Sequence, residues 1–307
     1  MPGVLWLASY PKSGNTWVRA FIANYLVNAD SPVPINDLPE FVKGDGPKHF
    51  YEEVLGFPIT KPLSPKETQE LRLLVHKKFA HESQNTTIVK THNAIAYLDD
   101  IPTINPEATE GAVYIMRNPL DVVLSYAHHY GMTHDEAIER LGSEENALGG
   151  TERQVLQFLG SWSMHVRSWI EAPGLKVHVM RYEDMLLGPS DSFSGLIKFL
   201  ELPEEPERRE KAIEFSSFRT LAGQERSQGF IEAVPAREHA AFRGKSVETV
   251  PQTARFRGEN RVRFFRSGKL GAWRDQLTEE QVSRVVDDHR EVMEAHGYLD
   301  ERGAPVF

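Results

Sequence analysis

The 307-residue chain contains no cysteine. Disulfides, thiolate metal sites and cysteine nucleophiles are therefore excluded, and a reducing compartment is compatible with that. Long apolar runs are also missing: no stretch approaches the ~18 apolar residues of a membrane span. The first ten residues lack a basic segment, and their apolar run is too short for a secretory leader, so a cytoplasmic location is expected. Positive charge is in deficit, with 35 Lys and Arg against 44 Asp and Glu and a formal net charge of −9. That disfavours a general nucleic-acid binder, although a local cluster of cations can still hold a polyanionic small ligand. Histidine pairs at metal-ligand spacing are absent as well. His128 and His129 are adjacent and His76 and His81 are five apart, so no metal is expected.

What is present is an alternation of strand-like and helix-like segments. Val4–Ala8 is a continuous apolar run of strand length, and apolar residues from Trp17 to Leu26 then recur at helical spacing. Residues 30–65 are rich in proline and read as an irregular excursion. Ser64 and Glu67 form a capping-box pattern for a helix from Pro65 to His81. Further strands are expected at Thr86–Thr91, Ala112–Met116 and Leu175–Met180. Further helices are expected from Pro119 to His129, from Glu152 to Ile170, near 190–201 and 204–215, and from Thr278 to His296. The stretch 219–265 is polar and weakly periodic. The alternation implies one α/β domain over 1–307, a mostly parallel β-sheet flanked by helices on both faces. Ligands in such folds sit at the carboxyl ends of the strands.

Two of those strand ends carry an anion-binding pattern. Ser9-Tyr10-Pro11-Lys12-Ser13-Gly14-Asn15-Thr16-Trp17 is a strand, a tight loop and a helix start. Helix N-termini bind anions through free N–H groups, Gly14 permits close backbone approach, and Lys12 adds a full charge. The loop is P-loop-like without being a Walker A motif, because its lysine precedes its single glycine. An ordinary turn with a solvated lysine is the competing reading. In Arg117-Asn118-Pro119, Arg117 ends a strand, and Ser125 lies two turns into the next helix. A guanidinium and a hydroxyl suit a terminal phosphate; a surface pair of Arg117 with Asp121 is the alternative. Two anion sites on adjacent strand ends imply a ligand with two separated anionic groups, such as a nucleotide with phosphates on both sides of its ribose.

Together these segments resemble the cytosolic-type sulfotransferases that use 3′-phosphoadenosine 5′-phosphosulfate. The first loop, with Lys12, Ser13, Gly14, Asn15, Thr16 and Trp17, is similar to the family's 5′-phosphosulfate motif, with Asn15 in place of a threonine. The segment through Arg117 and Ser125 is similar to its 3′-phosphate motif. Lys90-Thr91-His92 resembles the Lys-Thr-His stretch whose histidine is the catalytic base. Trp162, His165 and Trp169 resemble its Trp-rich helix, and Arg181-Tyr182-Glu183-Asp184-Met185 its Tyr-Glu-Asp-Met strand end. The resemblance places Tyr182, Ser216 and Phe218 at the adenine. Arg266-Ser267-Gly268 is similar to the family's Arg-Lys-Gly, with serine in place of lysine and a weaker 3′-phosphate contact implied.

The resemblance implies in-line sulfuryl transfer to a hydroxyl or amine of a small acceptor, with 3′,5′-bisphosphoadenosine as product. Such a transfer needs a base on one side and positive charge on the other. His92 is expected to take the acceptor proton. Lys12 would neutralise the leaving oxygen, Lys90 would share the sulfuryl oxygens, and Ser125 would hold Lys12 back until the acceptor arrives. Trp17 and Phe218 are expected to sandwich the adenine. From Arg255 to Arg274, seven basic residues face one acidic residue, Glu259. A lid over the nucleotide is favoured there over a solvated face or a nucleic-acid surface. Acceptor contacts are expected from 30–60, 93–100, 130–150 and 219–255. Rival readings are a nucleotide-dependent kinase and a non-catalytic nucleotide-binding module. Arg274, Thr278 and Glu279 follow the family's dimer signature only in part, which leaves a homodimer open.

Overall fold

A computed structural model describes residues 3–82, 84–232, 263–266 and 268–307. Its centre is a five-stranded parallel sheet of β1 (Val4–Ser9), β2 (Lys43–Gly44), β3 (Thr87–Thr91), β6 (Thr109–Met116) and β9 (Val177–Arg181), in the order β2-β3-β1-β6-β9. Two antiparallel pairs stand apart from it, β4 (Tyr97–Leu98) with β5 (Ile101–Pro102) and β7 (Ala147–Leu148) with β8 (Gln157–Phe158).

The strands are continuous apolar runs because both sheet faces are covered. Val4, Trp6 and Ala8 of β1 join Ala112, Tyr114 and Met116 of β6 in one core, while Leu7, Val113 and Ile115 point to the other. The first core is closed by α4 (Pro65–His81), α5 (Pro119–Tyr130), α7 (Trp162–Ile170) and α12 (Glu279–Ala295). The second is closed by α1 (Asn15–Val27), α9 (Pro189–Phe199) and α10 (Pro206–Phe215). The remaining helices are α2 (Leu38–Phe41), α3 (Lys48–Leu55), α6 (His134–Gly142), α8 (Tyr182–Leu187) and α11 (Phe218–Gln228). The Ser64–Glu67 capping box forms as expected, each partner satisfying the other's backbone N–H.

Two segments differ from the sequence expectation. The helix expected from Glu152 begins only at Trp162. Gln154–Phe158 is instead extended, bridging Pro47 and pairing with β7, and Gly160 turns the chain through a left-handed φ of 64° before Ser161 caps the helix. The stretch expected to be irregular from 219 is helical to Gln228, as α11. The excursion at 30–65 also holds short elements, among them α2, β2 and α3.

From β1 the chain passes outward to β2 and β3 on one side, then returns to β6 and continues to β9 on the other. The connections after β1 and β6 thus leave in opposite directions. That opens a crevice at the carboxyl ends of these two neighbours, where a doubly wound sheet places its ligand.

Candidate active site

A cleft of about 400 Å³ lies in this crevice. The loop after β1 forms its floor. Lys12 and Gly14 both adopt positive φ, 73° and 108°, which curls the loop so that α1 starts against the cleft. A side chain on Gly14 would meet the Tyr182 ring, its Cβ 2.7 Å from Cδ2, so only glycine fits this turn. Asn15 is drawn back to the strand, its amide donating to Leu7 O at 3.0 Å and Ser9 Oγ at 3.2 Å.

The loop is crowded with polar atoms that lack partners. Lys12 Nζ, Ser13 Oγ, Trp17 Nε1 and Arg117 Nε are all buried without a hydrogen bond. The Lys12 ammonium rests 3.5 Å from the centroid of Phe264, and no bond joins it to Ser125. Burial first, then the charges of Arg117 and Lys90, lower its pKa to about 7. Arg117, at the end of β6, donates to Lys12 O at 3.3 Å and lies 4.2 Å over the Tyr182 ring. Its contact with Asp121, at 3.6 Å, is buried rather than a surface pair. The Asp121 carboxylate also accepts from the N–H groups of Gly271 and Trp273, tying the C-terminal crossing to α5.

His92 follows β3 on the opposite flank of the loop. Its Nδ1 lies 2.8 Å from Ser9 O, and a carbonyl can only accept, so the proton sits on Nδ1 and the lone pair on Nε2. Burial chiefly, with Lys90 adding repulsion, pushes its pKa well below the ordinary histidine value. The ring is therefore neutral at neutral pH. Its carbonyl accepts from His165 Nε2 at 3.1 Å, and His165 Nδ1 takes the Tyr114 hydroxyl at 2.8 Å. Thus α7 and β6 hold the turn that carries His92. Lys90 is half-buried and its pKa is lowered chiefly by desolvation, while Glu232 opposes the shift. Glu232 is itself ion-paired to buried Arg19 of α1.

The cleft gathers most of the expected residues. Lys12, Gly14, Asn15, Thr16, Trp17, Lys90, His92, Arg117, Ser125, Tyr182, Phe218, Arg266 and Gly268 line it. Ser13 lies beneath the loop rather than on the lining. Ser216 is turned inward, its hydroxyl donating to Ile213 O at 3.2 Å, and Ser217, the cap of α11, faces the cleft in its place. Ser267 and, of the basic run, Arg255, Arg257 and Arg261 lie outside the described residues.

The far wall contains residues that no motif announced: Tyr130, Gln154, Gln157, Phe230, Phe264 and Phe265. Residues 30–60 and 93–100 contribute nothing to this lining. Asn93 and Ala94 are buried, fixed by Trp169 and Phe158. Lys48, Ile59 and Thr60 border a second cavity of about 310 Å³, which shares Thr151 and Gln154 with the cleft.

Among the described residues no helix is long and apolar enough to cross a membrane. The family pattern described as "Sulfotransferase domain" matches residues 2–297. Mouse "Sulfotransferase 1 family member D1" is 26% identical over 296 residues, 95% of this chain and 84% of the relative. The flavonol 3-sulfotransferase of Flaveria bidentis is 23% identical, over 92% of this chain and 80% of its own. In fold, the chain resembles mouse sulfotransferase SULT7A1 complexed with PAP, with TM-score 0.55, 18% identity, and 95% and 84% of the two chains covered. It also resembles retinol dehydratase in complex with androsterone and inactive cofactor PAP, with TM-score 0.58, 17% identity, and 94% and 80% covered. The match across nearly the whole sequence, on a crevice lined by the expected loop, arginine and histidine, places this chain in the sulfotransferase family of enzymes.

Proposed function

We propose that this sulfotransferase carries a sulfuryl group from 3′-phosphoadenosine 5′-phosphosulfate to a hydroxyl or amine of a small-molecule acceptor, as one domain over 1–307 acting in the cytoplasm. The observation that carries the reading is the group of unpartnered buried donors, Lys12 Nζ, Trp17 Nε1 and Arg117 Nε, on residues that line the same crevice as a neutral His92. Buried donors without acceptors are costly, and a polyanion satisfies them. The donor supplies an activated sulfuryl group whose departure leaves a phosphate.

The protein's own groups divide the remaining work. His92 Nε2, with its lone pair exposed by the Nδ1 bond to Ser9 O, takes the acceptor proton. Lys12, whose pKa stands at about 7 in this cleft, becomes fully protonated beside phosphate and neutralises the leaving oxygen. Lys90, from the strand that leads to His92, steadies the sulfuryl oxygens. Arg117, Ser125, Arg266 and Gly268 receive the 3′-phosphate, and Trp17, Tyr182, Ser217 and Phe218 surround the adenine. Ser125 restrains Lys12 only after that lysine leaves the Phe264 ring.

The acceptor occupies the wall of Tyr130, Gln154, Gln157, Phe230, Phe264 and Phe265. This surface mixes aromatic faces with amides, which suits an acceptor that combines an apolar body with hydrogen-bonding groups. Transfer of labelled sulfate from the phosphosulfate donor to a panel of phenols, alcohols and amines tests the reading. Labelled product is expected with at least one acceptor, and label transferred from ATP γ-phosphate instead would contradict it.

A further inference from the structure

Behind His92, away from the cleft, lies a buried carboxylate that the proposed chemistry does not use. Asp45 follows edge strand β2 and is 1% exposed. One of its oxygens, Oδ2, accepts from Thr91 Oγ1 at 2.8 Å and from Asn93 Nδ2 at 2.8 Å. These residues immediately precede and follow His92. The Asp45 backbone N–H donates to Lys90 O at 3.0 Å, and its carbonyl accepts from the Tyr51 hydroxyl at 2.9 Å. One residue thus grips positions 90, 91 and 93 around the base.

We propose that Asp45 is a positioning residue for His92, its carboxylate fixing the turn 91–93 so that Nδ1 reaches Ser9 O and Nε2 faces the acceptor. This rests on the reading of His92 as base.

The carboxylate is costly to bury, and its surroundings retain it as an anion. Burial alone raises its pKa. His76, Arg72 and Thr91 outweigh that and hold it below the usual carboxylate range. His76 Nδ1 lies 3.3 Å from the N–H of Asn105, a donor, so its proton is on Nε2, 3.7 Å from Asp45 Oδ2. Arg72, fully buried, bonds Tyr51, Gln69 and Leu156 O and places its charge beside the same group. His76 and Arg72 come from α4 and Tyr51 from α3, so two helices surround the carboxylate that bonds the two residues flanking the base. A carboxylate serving the fold alone could pair with any of them. The bonds it makes go to Thr91 and Asn93.

The test compares Asp45→Ala, Asp45→Asn and Thr91→Val. Asparagine keeps an oxygen for both donors, alanine removes it, and valine deletes one arm at nearly constant volume. Misplacing a base by about 1 Å costs on the order of 100-fold. A loss of that order in kcat is expected for Asp45→Ala. Thr91→Val should fall between it and wild type, and Asp45→Asn should remain within several-fold of wild type. Affinity for 3′,5′-bisphosphoadenosine should be unchanged in all three. If Asp45→Ala does not fold, the other two variants carry the comparison. Imidazole nitrogen NMR of His92 gives a readout independent of turnover. Wild type and Asp45→Asn should hold the Nδ1–H tautomer, and Thr91→Val and Asp45→Ala should show a mixture. A folded Asp45→Ala or Thr91→Val with wild-type kcat and a single tautomer overturns the proposal. If the wild-type chain transfers no sulfuryl group at all, the functional reading fails, and the tautomer measurement still decides the role of Asp45.

Discussion

Lys12 illustrates how a residue's environment converts into a measurable proton. In the open cleft its pKa stands at about 7, so above that pH it is largely neutral. A bound polyanion raises the pKa and draws a proton from solvent. Binding of 3′,5′-bisphosphoadenosine at pH 8 should therefore take up close to one proton, and at pH 6 clearly less, because Lys12 is already charged there and phosphates with a second pKa of about 6 give up protons on binding. Calorimetry in buffers of different ionisation enthalpy reads this directly, and equal uptake at both pH values would contradict it. For His92, replacement by alanine should lower kcat by roughly 10²–10⁴-fold, the usual worth of a general base, with nucleotide affinity unchanged. Surviving activity would remove His92 from its role. The loop and Arg117 stood out in the sequence because each sits where a strand ends, whereas His92 was picked out by the resemblance to the Lys-Thr-His stretch. The far wall was legible only in part: Tyr130 and Phe230 fall in segments expected to meet the acceptor, whereas Gln154, Gln157, Phe264 and Phe265 are brought there only by tertiary folding. The exchange of Ser216 for Ser217 turns on a rotation of a single residue at a helix junction, below what a pattern can resolve.

Among the elements, the strands were legible because burial on both faces leaves near-continuous apolar runs. The extent of α7 was not. Its upstream residues, 152–161, carry enough apolar side chains to mimic a helical stripe, yet Gln157–Phe158 pairs with β7 and Gly160 reverses the chain. The true start is Ser161, whose hydroxyl accepts from Met164 N at 3.2 Å. Ser161→Ala should cost about 0.5–2 kcal/mol of stability, the usual worth of an N-cap. Thermal unfolding measures that. A cost near zero would mean that the backbone alone sets the boundary. In the opposite direction, α11 was read as irregular because only Leu221, Ala222 and Glu225 are buried along it, too few to mark an apolar face.

At the scale of the whole molecule, distant parts of the chain are drawn to one crevice. The last segments return over the cleft through acidic anchors. The Glu225 carboxylate accepts from the N–H groups of Phe264 and Phe265 at 2.7 and 3.1 Å, and Asp121 does the same for Gly271 and Trp273. Hydrogen bonds to a charged group contribute about 1.5–3 kcal/mol each, so Glu225→Ala should free the two phenylalanines. Because both rings belong to the acceptor wall, loss of their fixed position should weaken acceptor affinity by about tenfold, or about 1.4 kcal/mol, as read by the acceptor KM. An unchanged affinity would mean that other contacts hold this crossing. An overall charge of −9 therefore coexists with a polyanion site, because Lys12, Lys90, Arg117 and Arg266 are concentrated on one cleft.

The most direct test of the central claim is calorimetric titration of the purified chain with 3′,5′-bisphosphoadenosine, alongside its Arg117→Ala variant. The account predicts one saturable site per chain, strongly weakened in the variant. No detectable binding at millimolar ligand, or equal binding by both proteins, would contradict it.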